Sequence, residues 1–387
     1  MPGLIEKLKN KHFLSLSGNI IMSGVGMVTF AILYHALTPE EMGIWIYFQT
    51  ILLLLDTVRS GFLTTAFIKF YAGAEKQRAD EITGAAWFIG LAITGIFVLV
   101  NALAFFVLPF ISDVSIRVLI KWFGVTFICM LPYFIATCVV QAEQRFDRLL
   151  FIRFITQIVF VGTIIALITL HKTSLQNVVL ANLASAFITS IVTIMLGFSR
   201  INMFGKRTKA ATLEMFHFGK FSVGTSLSAS LFGRSDVIII KAMLGPAAVA
   251  VYSLGVKFLE LVEIPLRSFA ATAMPSLSSA YNKNNKDEVV YIYKKYAGMT
   301  TVMLIPACLI AVLLADFLIS LVGGGQYAGT TMGFQAANVY RLYMTFALLY
   351  PADRFLALTL DVINKPHVNF YKILLMLAAN VTGDVAG

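Results

Sequence analysis

The sequence has few charged residues. Only 13% of its 387 residues are charged, whereas 58% are hydrophobic, and soluble domains are about one quarter charged. This composition excludes an ordinary soluble domain. The long apolar runs instead indicate a protein that is embedded in a membrane.

Cysteine is almost absent as well. Cys129, Cys138 and Cys308 lie inside apolar runs without paired spacing, and the five histidines show no metal-ligand spacing. Neither a disulfide framework nor a zinc site is therefore predicted, and we expect no metal and no cofactor. The connections between the apolar runs are short, so no catalytic domain outside the membrane is expected.

The sequence contains eleven apolar runs, each long enough to cross a hydrocarbon core of about 30 Å as a helix of about 20 residues. The fold class that they predict is an all-α polytopic membrane protein. We expect prolines to interrupt four of the helices, at Pro132, Pro265, Pro306 and Pro351. The predicted spans are 13–37, 43–70, 82–111, 118–141, 149–170, 175–198, 215–244, 247–276, 289–322, 334–360 and the residues from 368 onward.

The basic residues lie mainly in alternate connections, on the side of the N-terminus. By the positive-inside rule this predicts a cytoplasmic N-terminus. The same basic connections would attract anionic lipid headgroups. The net charge of +10 thus has an explanation in membrane topology, and we expect no nucleic-acid partner.

The second half of the sequence aligns with the first half after a shift of 207 residues. Pro39 then meets Pro246, and Asp80 meets Asp287. Six helices fit in one period, which predicts two parallel six-helix lobes related by an axis along the membrane normal. On this period we expect that a twelfth helix is missing from the end of the sequence, or that the sequence is a fragment. We predict an N-terminal lobe at 1–199 with helices 1–6, a basic cytoplasmic linker at 200–213 and a C-terminal lobe at 214–387 with helices 7–11.

Several ionisable residues fall inside the predicted spans, where a charge costs at least a few kcal/mol unless it has a partner or faces water. Two explanations are open: acid–base pairs three or four residues apart neutralise each other, or the cations line a pathway. The shift of 207 places Asp56 on Glu263, with Arg59 one position out of register from Arg267. The predicted helix that contains Arg341 has no acidic residue near it. The remaining residues of this kind are Arg234, Asp236, Lys257 and Glu260.

Three stretches resemble the bacterial polysaccharide flippases of the Wzx type, in the MOP superfamily that also holds the MurJ lipid flippases and the MATE drug exporters. A weaker match is LVGGGQYAGTTMGFQ. The three stretches are LTPEEMGIWIYFQTILLLLDTVRSGF, FGKFSVGTSLSASLFGRSDVIIIKAMLGPAAVAVYSLG and FAATAMPSLSSAY.

The resemblance implies a cavity between two lobes that opens alternately to each side of the bacterial inner membrane. It implies a substrate in which pyrophosphate links an oligosaccharide to undecaprenol, moved from the cytoplasmic to the periplasmic leaflet. We expect the protein to be a monomer. Its expected partners are membrane lipids, a polysaccharide polymerase and a chain-length regulator. We expect Arg59, Arg234, Lys257, Arg267 and Arg341 to bind substrate, and Asp56, Asp236, Glu260 and Glu263 to orient these cations or to accept coupling ions.

Two alternatives belong to other functional classes. A MATE-like exporter of cationic drugs would need acidic residues to dominate the cavity of the N-terminal lobe, but Asp56 lies beside Arg59. A membrane-embedded polysaccharide enzyme, such as a polymerase or an acyltransferase, would need large outer loops, and the outer loops here are short.

Overall fold

Apolar segments in a membrane form helices because a helix satisfies the backbone hydrogen bonds within its own segment. The computed structural model describes residues 11–363 and 365–386, and this part of the chain is 89% helical and contains no strand. The predicted all-α fold class is therefore confirmed. The predicted cytoplasmic N-terminus, at residues 1–10, lies outside the described residues.

The described helices follow one another through short connections, some of which contain a 3-10 turn. The 3-10 turns are Leu108–Phe110, Ile201–Lys206, Gly324–Gln326 and Ala347–Leu349. The α-helices are α1 (Lys11–Ala36), α2 (Pro39–Tyr71), α3 (Lys76–Phe105), α4 (Val114–Ala142), α5 (Phe146–Thr169), α6 (Leu175–Met195), α7 (Lys209–Phe232), α8 (Ser235–Leu244), α9 (Pro246–Val256), α10 (Leu259–Asn282), α11 (Lys286–Leu313), α12 (Ala315–Gly323), α13 (Thr331–Phe346), α14 (Tyr350–Val362) and α15 (Pro366–Ala386).

Six of the described helices are long and apolar enough to cross a membrane, namely α2, α3, α4, α5, α6 and α11. Seven of the eleven predicted spans each form one helix, α1 to α6 and α15. The other four are each divided into two helices. The divisions lie at Gly233 and Arg234, at Lys257 and Phe258, at Leu314, and at the 3-10 turn Ala347–Leu349.

The prolines do not cause most of these divisions. Pro132, Pro265 and Pro306 lie inside continuous helices, so the interruptions expected at these three residues are wrong. Pro351 lies in the first turn of α14, where the missing N–H of proline costs nothing. Two divisions instead coincide with ionisable residues, Arg234 and Lys257.

Polar side chains cap the starts of several helices. Before α2, the carboxylate of Glu41 accepts hydrogen bonds from the backbone N–H and the hydroxyl of Thr38, and the N–H of Glu41 donates to that hydroxyl. This capping box satisfies N–H groups that the first turn leaves free. The caps of α4, α6, α7, α11 and α13 are Asp113, Ser174, Thr208, Asn285 and Thr330.

Contacts divide the described chain into two units. Unit 1 comprises the described residues of Met1–Thr29 together with Ile44–Arg234, and unit 2 comprises Phe30–Gly43 together with the described residues of Ser235–Gly387. The two units are defined by contacts within one conformation, which do not test where the two lobes begin and end. The lobe boundaries expected at 199 and 214 therefore remain predictions.

Each unit has its own apolar core. In unit 1, α3 packs on α4, α4 packs on α6, and the core includes Phe67, Ile82 and Ile135. In unit 2, α10 packs on α11 and α14 around Leu277 and Phe355. Many large apolar side chains on the outer faces of the helices are exposed. A surface of this kind fits lipid rather than water.

The predicted linker is docked on α3 within unit 1. The indole N–H of Trp87 donates to the carbonyl of Ser199 at 2.8 Å, and the ammonium of Lys206 is 2.7 Å from the carboxylate of Asp80. Gly84 allows this approach: a Cβ there would lie 2.6 Å from the carbonyl oxygen of Met203. The absence of a side chain on Gly84 therefore lets the linker lie against the helix.

Replacing Gly84 by alanine should destabilise the protein by about 1–3 kcal/mol, because the new methyl group overlaps the linker backbone. Gly95 is the matched control on the same helix, since a Cβ there has no neighbour within 4 Å. Gly95→Ala should leave stability unchanged or raise it by up to about 1 kcal/mol through helix propensity. Thermal unfolding of the purified protein in detergent measures both. Equal midpoints for the two variants would show that the linker does not dock on α3.

Candidate functional site

The cation Arg59 of α2 is fully buried in unit 1. Its Nη2 is 2.5 Å and its Nε is 3.0 Å from Oδ1 of Asp56, and Nη1 donates to the carbonyl of Phe127 at 3.4 Å. The guanidinium also lies over the rings of Phe127 and Phe134, at 4.7 and 4.5 Å from their centroids. The side chain of Arg59 has 0% exposure and that of Asp56 has 20%.

These contacts engage all three nitrogen atoms of the Arg59 guanidinium. Nε and Nη2 bind the carboxylate, Nη1 reaches α4, and the rings of Phe127 and Phe134 each add a favourable cation–π contact. A ligand phosphate would have to displace Asp56 and open this packing. We therefore assign Arg59 a role in joining α2 to α4, where the sequence alone led us to expect substrate binding.

Arg234 has a different environment at the end of α7. Its Nε donates to the hydroxyl of Ser230 at 3.3 Å, and this hydroxyl accepts from Thr57 of α2 at 3.0 Å. Thr57 is the chain neighbour of Asp56, so the structure connects Arg234 to the segment of α2 that carries the buried pair. Among the described residues of unit 1, no carboxylate lies within ion-pair distance of Arg234.

Two predicted acid–base pairs form at the start of α10 in unit 2. The ammonium of Lys257 is 2.5 Å from the carboxylate of Glu260 and 5.2 Å from the ring centroid of Phe30. One turn later Arg267 pairs with Glu263. The side chain of Lys257 is 20% exposed and that of Arg267 is 72% exposed. These two pairs thus neutralise locally, but the second remains open to solvent or ligand.

Arg341 of α13 pairs with an acid that the sequence did not indicate. Its Nη2 is 2.5 Å from the carboxylate of Asp316 on α12, and its Nη1 donates to the side-chain carbonyl of Asn338 at 3.0 Å. The expectation that no acid lies near Arg341 on its own helix agrees with α13, which contains none. The partner comes from a different helix, 25 residues earlier, because α12 packs on α13.

Asp236 lies at the centre of a hydroxyl-rich cluster in unit 2. The hydroxyl of Tyr252 donates to its carboxylate, that of Tyr343 lies 3.4 Å from the same oxygen, and the two tyrosine oxygens are 2.7 Å apart. Ser235 links this cluster to α15, since its hydroxyl donates to the side-chain oxygen of Asn380 at 3.0 Å. The cluster joins α8, α9, α13 and α15.

Sequence reasoning missed Tyr252, Tyr343 and Asn380. The signal in the sequence was the pair of consecutive polar residues Ser235 and Asp236, which begin α8. A hydroxyl cluster around one carboxylate supplies oxygen atoms of the kind that small hard cations prefer.

Two family models match the chain. The family model described as "Polysaccharide biosynthesis protein" matches residues 8–281, and the MatE model matches residues 222–385. No curated protein matches the sequence.

Solved structures match over nearly the whole chain. The inward-facing conformation of a multidrug resistance MATE family transporter of the MOP superfamily matches with a TM-score of 0.73 and 14% identity, over 95% of this chain and 87% of that chain. The lipid II flippase MurJ in an inward closed conformation matches with a TM-score of 0.74 and 14% identity, over 96% and 80%. A MOP superfamily transporter from Pyrococcus furiosus, described as having a binding pocket of reverse polarity, matches with a TM-score of 0.58 and 13% identity, over 94% and 82%. These similarities establish a shared fold.

Replacing Arg59 by methionine should destabilise unit 1 by about 3–5 kcal/mol, because the largely buried carboxylate of Asp56 then lacks its counter-charge. The double variant Arg59→Met with Asp56→Asn should recover part of this loss. Arg267→Met is the matched control, and it should cost less than about 1 kcal/mol since its pair is exposed. Thermal unfolding in detergent distinguishes these outcomes. A wild-type midpoint for Arg59→Met would contradict the structural role.

Proposed function

Because the chain belongs to the polysaccharide biosynthesis protein family, we propose that it moves an undecaprenyl-pyrophosphate-linked oligosaccharide from the cytoplasmic to the periplasmic leaflet by alternating access. It is a multi-pass membrane transporter or flippase of the MOP superfamily. The substrate, its direction and its role in making O-antigen, capsule or exopolysaccharide are our proposal. We assign no catalytic role to any residue.

Arg234 carries the proposal. A pyrophosphate has about two negative charges, which lose their hydration in the membrane and need charge-assisted hydrogen bonds in its place. Arg234 is half-buried at a helix end, and no described carboxylate of unit 1 neutralises it. Its Nη1 and Nη2 atoms are therefore available to a phosphate. The guanidinium can bind two phosphate oxygens at once.

The cations of unit 2 are available to different degrees. Arg267 is the most exposed of them, and a phosphate can replace Glu263 on its guanidinium without opening a packed core. Lys257 and Arg341 each hold one carboxylate and are less exposed. We propose that these three residues also bind substrate, with Glu260 and Glu263 orienting Lys257 and Arg267 when no substrate is bound.

Asp236 is the residue that we propose for ion coupling. Its carboxylate, the hydroxyls of Tyr252 and Tyr343 and the Ser235–Asn380 pair connect four helices of unit 2. Binding of a cation or a proton to Asp236 would change the hydrogen bonds between these helices. The free energy of an ion gradient could thus drive a conformational change.

The proposed setting is the bacterial inner membrane, with the N-terminus in the cytoplasm. The basic residues lie mainly in alternate connections, which all face the side of the N-terminus, and this pattern supports the orientation. We propose that the protein acts as a monomer among membrane lipids, beside a polysaccharide polymerase and a chain-length regulator that use its product.

A MATE-like exporter of cationic drugs is the second candidate. The match of the MatE model to residues 222–385 favours it. The two functions differ in measurable ways. Expression of an exporter would raise drug resistance in a sensitive host, whereas a flippase would restore surface polysaccharide in a host that lacks its own.

Arg234→Ala should lower surface polysaccharide by at least about tenfold, the cost of losing one or two charge-assisted hydrogen bonds. Arg234→Lys should retain part of the activity, since it keeps the charge but loses the bidentate geometry. Arg145→Ala is the control, because Arg145 is exposed and forms an exposed ion pair with Asp147. Polysaccharide would be quantified at equal protein levels in the membrane fraction. Normal polysaccharide in Arg234→Ala cells would refute the substrate role.

Asp236→Asn should remove the dependence of transport on an ion gradient, because the amide cannot take up a proton and binds cations weakly. Asp353→Asn is the control, since Asp353 forms an exposed pair with Lys372 in the same unit. Movement of a lipid-linked sugar would be measured in proteoliposomes with an imposed sodium or proton gradient. An unchanged gradient response in Asp236→Asn would exclude this residue from coupling.

A further inference from the structure

An apolar groove with a basic end lies in unit 1, and none of the proposed transport residues lines it. It has a volume of about 620 Å³ and lies between α2, α3 and α7. Its walls are apolar side chains, and Arg207 and Lys209, which belong to the predicted linker, line its basic end. The principal wall residues are Phe62 of α2, Phe88, Ala92 and Ile96 of α3, and Leu213 and Phe216 of α7.

Two walls of the groove contact each other. The rings of Phe62 of α2 and Phe216 of α7 are 5.3 Å apart, and Gly219 lies against the backbone of Phe62. Ile96 and Leu213 are exposed, although α3 is apolar enough to cross a membrane. From Phe88 to Ile96 the groove extends for about 12 Å along α3. Hydrocarbon of the surrounding bilayer is the material that fits such a space.

The basic end is positioned by the groove itself. The guanidinium of Arg207 lies over the ring of Phe88, 4.7 Å from its centroid, and over the ring of Phe204 at 4.9 Å. Phe88 is a wall of the groove, so the cation is held directly at the end of the apolar surface. Lys209 begins α7, and the partial positive charge of the helix N-terminus adds to the two cations.

The carboxylates near this end are already paired. Glu81 and Glu214 both bind Arg78, and Asp80 binds Lys206. In the described part of unit 1, no carboxylate lies within ion-pair distance of Arg207 or Lys209. The two cations thus lack a protein counter-charge at the point where the apolar groove ends.

We propose that this groove binds one anionic phospholipid of the cytoplasmic leaflet, with an acyl chain along α3 and the headgroup phosphate at Arg207 and Lys209. Charge complementarity selects an anionic lipid over a zwitterionic one, since each cation near a membrane surface attracts an anionic lipid by about 1 kcal/mol. The leaflet rests on the orientation given under the proposed function. The binding itself does not require transport.

A lipid at this position would contact both α3 and the docked linker. Thr208, which caps α7, donates to the carboxylate of Glu81 on α3 at 3.3 Å. The headgroup would lie beside this contact and would add a bridge between the linker and α3. Bound lipid should therefore stabilise the docked linker.

Native mass spectrometry of the full chain tests the proposal. The purified protein would be mixed with equimolar phosphatidylglycerol and phosphatidylethanolamine that carry identical acyl chains. The wild type should retain one phosphatidylglycerol in preference. Arg207→Ala and Lys209→Ala should each lower this preference by roughly fivefold. Equal retention of the two lipids by the wild type, or an unchanged preference in the double variant, would overturn the proposal.

Two matched pairs separate the groove from general lipid adhesion. Ala92→Phe fills the groove and should lower retention of both lipids, whereas Ala102→Phe, on an exposed part of α3 outside the groove, should not. Lys283→Ala removes an exposed cation elsewhere and should leave the preference unchanged. Equal effects of the two phenylalanine variants would show that lipid does not occupy the groove.

Competition identifies the occupant. Glycerol phosphate, which has a phosphate but no acyl chain, should fail to displace phosphatidylglycerol at equal concentration. If undecaprenyl pyrophosphate displaces bound phosphatidylglycerol more strongly than added phosphatidylglycerol does, the occupant of the groove is the transport substrate. This result would overturn the proposal. These measurements need no transport assay, so a failure of the flippase function would leave their outcome unaffected.

Discussion

The cost of placing charge in hydrocarbon is the constraint on which the structure depends. A buried ion needs a counter-charge and hydrogen bonds, or it destabilises the fold by several kcal/mol. Arg59 meets this requirement fully through Asp56, a backbone carbonyl and two phenyl rings. Arg234 meets it only in part, through a serine hydroxyl. The difference separates a cation that holds helices together from one that can bind an anion.

Two helix divisions coincide with ionisable residues, and this has a physical reason. A divided helix frees backbone groups and helix ends, which solvate charge better than a continuous helix does. The divisions lie at Arg234, just before Asp236, and at Lys257, just before Glu260. Prolines would also free backbone groups, but Pro132, Pro265 and Pro306 lie inside continuous helices. Two of the four divisions thus coincide with charge, and none lies at these three prolines.

The helical spans could be predicted because hydrocarbon thickness sets their length and composition. The pairs at Asp56–Arg59 and Glu263–Arg267 could be predicted from their spacing on a helix. The partners of Arg341 and Asp236 could not, because Asp316, Tyr252 and Tyr343 approach only through packing between helices. The burial of Arg59 could not be predicted either, since the rings that cover it come from α4. Periodicity describes one helix at a time, and these sites depend on several.

The two acid–base pairs that the predicted repeat aligns differ in their burial. Asp56–Arg59 and Glu263–Arg267 correspond after the shift of 207 residues, apart from one position in register, yet Arg59 is 0% exposed and Arg267 is 72% exposed. The first pair lies against aromatic rings of α4, so its charges contribute to packing. Arg267 has a mostly exposed carboxylate as its ion-pair partner, so its charge remains available to an anion. The same kind of pair is thus buried in one half of the sequence and exposed in the other, because only Arg59 of the two arginines is covered, in the described part of the chain, by aromatic rings of a neighbouring helix.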